Sequence, residues 1–217
     1  MVPFRLALAR RRPAILCLGA HSDDIEIGSG GTLLRLLREY PGTRVHWVVF
    51  SATGRRAQEA RRSAARFLRA AGSADVQLHE FRDGFFPHEG AGIKDAFEAL
   101  KPVAPDVVFT HHGADRHQDH RVVCELTWNT FRDHLILEYE IPKYDADLGS
   151  PNVFVPLAAR DRRRKVDILM SGFPSQRRKR WFSAATFEGL MRLRGVECAA
   201  REGYAEAFHA RKMCLSP

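Results

Sequence analysis

A chain of 217 residues with 45% hydrophobic side chains can build one domain with a substantial core. Its 28% of charged residues, and the lack of any apolar run of about 18 residues, exclude a membrane-spanning helix and make disorder untenable as the main state. The formal charge of +8 raises a nucleic-acid partner, but the excess gathers in two stretches, 54–72 and 160–180, and neither matches a groove-reading motif.

Met1–Arg12 lacks the apolar centre and small-residue cleavage site of a secretory leader, which points to the cytoplasm. An apolar strand is expected at 14–20, with Cys17 inside it. The four cysteines, Cys17, Cys124, Cys198 and Cys214, are widely spaced without a Cys-x-x-Cys pair, so they encode neither a zinc knuckle nor a disulfide framework and are expected to be buried thiols. After the strand comes His21-Ser22-Asp23-Asp24, one imidazole and two adjacent carboxylates within four residues. Carboxylates that close repel unless a cation or a proton lies between them, so a metal site is the economical reading. Gly28, Gly30 and Gly31 lack the spacing of a dinucleotide fingerprint and follow an acidic loop that would repel pyrophosphate. They are read as a tight turn that brings the next helix, at 29–40, close to the strand.

A strand at 44–51, in which Trp47 packs, leads to an amphipathic helix at 55–71. There Ala57, Ala60, Ala64, Phe67, Leu68 and Ala71 recur at helical spacing, and the arginines mostly face solvent. Arg56 stands near the helix start, where ligands of α/β folds often lie. A strand at 76–81, a helix at 93–101 and a strand at 106–111 continue the alternation, and the last ends in a second polar cluster, Thr110 to Arg121, with four of the ten histidines. His111 and His112 are read as polar strand-end residues. A helix at 118–132 follows, with Trp128 packing on it. Leu135–Glu140 and Asn152–Leu157 read as strands, and 160–171, 184–194 and 203–213 as helices. The polar, aromatic stretch Glu138–Tyr144, with Gly149–Asn152, is a candidate substrate rim.

Alternating strands and helices predict a single domain over 1–217 with a Rossmann-like α/β fold, a parallel sheet with helices on both faces in three layers. Ligands in such sheets bind beyond the carboxyl ends of the strands. The two polar clusters are therefore expected to meet and share a metal.

His21-Ser22-Asp23-Asp24 resembles the His-Pro-Asp-Asp motif of the PIG-L/LmbE-like zinc-dependent de-N-acetylases, and His117-Gln118-Asp119-His120 resembles their second motif, His-x-Asp-His. The likeness extends through Gly28-x-Gly-Gly-Thr32, Arg56-x-x-Glu59, Arg82-Asp83-Gly84, Ser175-Gln176, Arg194-Gly195 and Tyr204-Ala-Glu206-Ala-Phe208, most of the chain. Ser22 replaces the usual proline, which frees the loop backbone and removes no ligand. The resemblance implies one zinc, or another divalent transition metal, held by His21, Asp24 and His120, with Asp23 as general base. It implies that His117, as an imidazolium, stabilises the oxyanion, that Asp119 orients a histidine, and that Arg56 and Asp83 hold the sugar. Asp115 lies near enough in sequence to contact substrate or orient a side chain. Three protein ligands leave open positions for water and a substrate oxygen, as a catalytic zinc site requires. The expected reaction removes the acetyl group from a 2-acetamido sugar conjugate, linked to a nucleotide, a lipid or a glycoside, whose anionic part would meet Arg56 and the basic stretch 160–180.

Three other readings compete. An iron oxygenase would use His21, Asp23 and a distant histidine, but such triads generally sit on all-β barrels. A two-metal hydrolase of the metallo-β-lactamase type would use Asp115-x-His117-x-Asp119-His120, except that Asp115 stands where its first histidine belongs. A basic nucleic-acid-binding module leaves both acidic motifs unexplained.

Overall fold

The structure, a computed structural model, describes residues 12–214. Most of the amino-terminal segment read for a leader lies outside them. Seven strands form one sheet in the order β3-β2-β1-β4-β5-β7-β6. The strands are β1 (Ala14–His21), β2 (Arg44–Ser51), β3 (Ser73–Leu78), β4 (Val107–His111), β5 (Leu135–Tyr139), β6 (Val153–Pro156) and β7 (Ala205–His209). The first five pair in parallel, and β7 runs antiparallel to both β5 and β6. The helices are α1 (Asp24–Glu39), α2 (Gly54–Phe67), α3 (Gly90–Leu100), α4 (Gln118–Thr130), α5 (Ala159–Gly172) and α6 (Ala184–Glu197).

Central strand β1 is buried on both faces, which is why it reads as an unbroken apolar run. Ile15 and Cys17 face the core shared with α1, α2, α5 and α6, while Leu16, Leu18 and Ala20 face the one shared with α3 and α4. The result is a three-layer α/β/α domain. Because the chain goes from β1 outward to β2 and β3 and then returns to place β4 on the other side of β1, the sheet has a switch point between β1 and β4. A crevice for ligands opens at such a point.

Three expectations are corrected. Helix α1 begins at Asp24 rather than near residue 29, and the glycines lie inside it instead of in a turn. Their missing side chains admit neighbours: a Cβ at Gly28 would lie 2.2 Å from Tyr139, and one at Gly30 2.7 Å from Phe67. The stretch 203–213 holds strand β7, not a helix. Ala-Glu-Ala-Phe favours a helix locally, but pairing between β5 and β6 overrides that preference, and Lys165 Nζ meets the buried Glu206 at 2.6 Å. Cys17 and Cys124 are buried as expected, whereas Cys198 is half-buried and Cys214 exposed.

Candidate metal centre and active site

The switch point brings both polar clusters together. His21 ends β1, Asp23 and Asp24 open α1, and His117 caps α4, whose first turn carries Asp119 and His120. His21 Nδ1 lies 3.2 Å from His120 Nε2 and 3.4 Å from Asp24 Oδ2, and the latter two atoms are 3.6 Å apart. A tetrahedral zinc with bonds of about 2.1 Å would space its ligands by about 3.4 Å. The three atoms therefore fit one such ion. Other His and Asp groups close enough to hold a metal, which bring in Asp83, His111, His117 and Asp119, all share His21 or His120 and so overlap the same locus.

Each histidine has its far nitrogen on a carboxylate. Asp119 Oδ2 lies 3.1 Å from His21 Nε2, and Asp115 Oδ2 lies 2.8 Å from His120 Nδ1. Such partners fix the ring orientation and raise ligand basicity. Asp119 also accepts the backbone N–H groups of Gly84 and Phe86, at 2.7 and 3.2 Å, and so ties the loop before α3 to the centre. Asp115 is buried and turned toward His120, the N–H of His117 and Lys143 rather than toward open space.

Electrostatics separate the groups. Burial drives the His120 pKa down to about 3, with nearby His111 adding to the effect, so the ring is neutral, the form in which an imidazole can bind a metal. Burial opposes ionisation of Asp24, but His120 and His111 outweigh it and hold the carboxyl well below the usual range. For Asp23 burial prevails: its pKa is raised despite Arg56 Nη2, which donates to Oδ1 at 2.6 Å. Asp23 Oδ2 is buried without a partner among the described residues. His117 Nδ1 accepts the Asp119 N–H at 3.3 Å, and burial, the largest cause, lowers its pKa. A neutral ring with its proton on Nε2 results. Asp83 is 75% exposed and reaches His21 Nε2 at 3.1 Å, a bond that lowers its pKa.

His111, read from the sequence as a polar strand end, is fully buried within the centre. Its Nε2 accepts the Ala20 N–H at 2.9 Å and lies 3.2 Å from Asp24 Oδ2. The signal was the period of β4, which puts residue 111 on the same face as Phe109, toward α1. His112 points elsewhere, to Glu138 at 2.8 Å. The expected rim is narrower than the sequence suggested, because Glu138, Tyr139 and Glu140 are buried and paired internally. Tyr144, 69% exposed, remains at the surface.

Residues 16–131 match the model of the GlcNAc-PI de-N-acetylase family, PIG-L. The chain belongs to that family. Every residue of the candidate centre falls inside the PIG-L match, and the membership makes the chain an enzyme of the deacetylase class. An Escherichia coli (strain K12) protein, the uncharacterized deacetylase YaiS, is 31% identical over 148 residues, which cover 63% of this chain and 78% of that protein. N,N'-diacetylchitobiose deacetylase from Pyrococcus horikoshii superposes with a TM-score of 0.68 at 21% identity, over 94% of this chain and 87% of its own. GalB, the 4-carboxy-2-hydroxymuconate hydratase of Pseudomonas putida KT2440, shares the fold with a TM-score of 0.72 at 16% identity, over 94% and 98% of the two chains.

Proposed function

We propose that this PIG-L protein is a zinc-dependent hydrolase that removes the acetyl group from a 2-acetamido sugar conjugate, releasing acetate and a free amine. The triangle of His21 Nδ1, Asp24 Oδ2 and His120 Nε2, with edges of 3.2, 3.4 and 3.6 Å, carries the reading. The donor set favours zinc, since two imidazoles and one carboxylate suit it better than magnesium or calcium. When bound, the zinc acidifies a water and polarises the acetamide oxygen.

The chain's own residues do the rest. Asp23 Oδ2, buried and unpartnered, accepts the proton of the attacking water, and its raised pKa suits a base that must later release that proton. Arg56 holds Oδ1 and so fixes the aim of Oδ2. His117 donates from Nε2 to the developing oxyanion; its lowered pKa favours this neutral donor over the imidazolium expected from the resemblance. Asp23 then returns the proton to the departing amine, which closes the balance of water and amide to acid and amine. Asp119 and Asp115 position His21 and His120. Asp83, exposed beside the centre, is the side chain best placed to hold a sugar hydroxyl.

Incubating the zinc-loaded protein with a panel of N-acetylhexosamine conjugates and following acetate release tests the assignment. Release from at least one conjugate, abolished by chelation, is expected; none from any would overturn it.

A further inference from the structure

The loop between β5 and β6, residues 140–152, has no helix or strand of its own, yet it is clasped twice. At its base Glu140 accepts the Gly149 N–H at 3.1 Å and pairs with Arg194 Nη2 at 2.6 Å, which also donates to the Gly149 carbonyl at 3.0 Å. Within the loop Lys143 Nζ donates to Asp147, and Ala146 between them takes a left-handed φ of +52°. A residue other than glycine keeps that conformation only where its surroundings hold it there. Loops of this length without regular structure are usually functional.

Lys143 is turned inward. Its side chain is only 9% exposed, and among the described residues its ammonium meets carboxylates alone: Asp147, Asp115 Oδ1 at 3.0 Å and the exposed Asp145 at 3.8 Å. A buried ammonium is costly unless it is paired. Here the pairing leads straight to the metal centre. Asp115 receives Lys143 and the His117 N–H on Oδ1, and holds His120 Nδ1 with Oδ2 at 2.8 Å. His120 in turn presents Nε2 to His21 Nδ1 at 3.2 Å. Asp147, the other carboxylate on the ammonium, also accepts the Arg116 N–H at 2.8 Å. Without Lys143 the buried Asp115 and its neighbour Asp147 would face each other as like charges with no cation between them, and in a poorly solvated place that repulsion is strong. Asp115 would be driven off the geometry that aims His120.

We propose that Lys143 is a positioning residue for the metal centre: as a bridge between Asp115 and Asp147 it holds the Asp115 carboxylate on His120 Nδ1, and so aims His120 Nε2 at the ion. This rests on the reading of His120 as a metal ligand. Lys143 itself touches neither metal nor substrate. It acts through a carboxylate bonded to a ligand's far nitrogen, a place where substitutions typically change metal affinity or activity by about 10–100-fold. The inner side of the loop expected from the sequence to be a substrate rim thus supports the ligand set.

The test compares the wild type with Lys143→Met and with the Lys143→Met, Asp147→Asn double variant, using two readouts. In metal-free protein, NMR of the ring nitrogens follows the His120 Nδ1–H held by Asp115, assigned by its absence in His120→Gln. In a competition titration against a chelator, the zinc dissociation constant is measured. Lys143→Met is expected to lose the Nδ1–H signal and to bind zinc about tenfold or more weakly. The double variant, which also removes the opposed charge, is expected to recover the signal and most of the affinity. Where the wild type binds zinc through His120, either readout unchanged in Lys143→Met overturns the proposal. A loss as deep in the double variant as in the single one also overturns it, because the packing of the loop and not the charge bridge would then be the cause. If the wild type binds no zinc, or zinc that His120→Gln leaves in place, while the Nδ1–H signal still depends on Lys143, the hold on His120 stands and the metal reading falls.

Discussion

Arg56 Nη2 donates to Asp23 Oδ1 at 2.6 Å, while the second oxygen of that buried carboxylate has no partner among the described residues. One oxygen is thereby anchored and the other left for a proton. Asp23→Asn keeps the shape and the metal ligands but removes the base. It should retain zinc while kcat falls by roughly two or more orders of magnitude, and near-normal turnover would contradict the assignment.

Removing the anchor has a different signature. Arg56 lowers the Asp23 pKa against the rise caused by burial, so Arg56→Met should raise it further. The acid limb of the kcat/KM profile, where the base gains its proton, should then move to higher pH. A variant that loses activity uniformly with no movement of that limb would show that Arg56 acts otherwise.

On the proposed reading, His117→Ala removes the donor to the oxyanion, not a metal ligand or a base. Turnover should fall by roughly 10²–10³ with zinc content retained. A large loss of zinc would instead place His117 among the ligands.

Much of this site was legible because its chemistry is local in sequence. His21, Asp23 and Asp24 crowd one strand end and His117, Asp119 and His120 another, and strand alternation placed both ends at one sheet edge. What escaped depends on partners distant in the chain. The sequence leaves open which histidine Asp119 orients; the carboxylate faces His21 across 98 positions, while His111 joins the centre only because β4 pairs with β1. Strand β7 was hidden because Ala205–Phe208 favours a helix until two strands flank it. The glycines of α1 read as a turn because nothing nearby in the chain announces that Tyr139 and Phe67 press on them.

That packing can be tested directly. At Gly28 a Cβ would lie 2.2, 2.4 and 2.8 Å from three atoms at the base of the Tyr139 side chain, where the ring cannot swing aside cheaply. Gly28→Ala should destabilise the fold by at least the roughly 1–3 kcal/mol usual for overpacking, read as a lower denaturation midpoint. An unchanged midpoint would contradict the close approach.

Behind the site, Glu138 is buried, which alone would raise its pKa, but hydrogen bonds from His112, Gly113 and Trp128 bring it down to about 2. A carboxyl depressed on folding stabilises above its unfolded pKa of about 4.3 and loses that contribution as pH falls toward 2. The difference amounts to something on the order of 3 kcal/mol. Glu138→Gln should be less stable at pH 7 and show a flatter loss of stability between those two values. An acid profile as steep as the wild type's would assign the transition to other groups.

Zinc stoichiometry tests the central claim most directly, because the proposed chemistry depends on one ion held by His21, Asp24 and His120. Metal analysis of chelated and reloaded protein should show about one zinc per chain, and His120→Ala should lower that sharply. Two zinc ions per chain, or an occupancy that His120→Ala leaves unchanged, would contradict it.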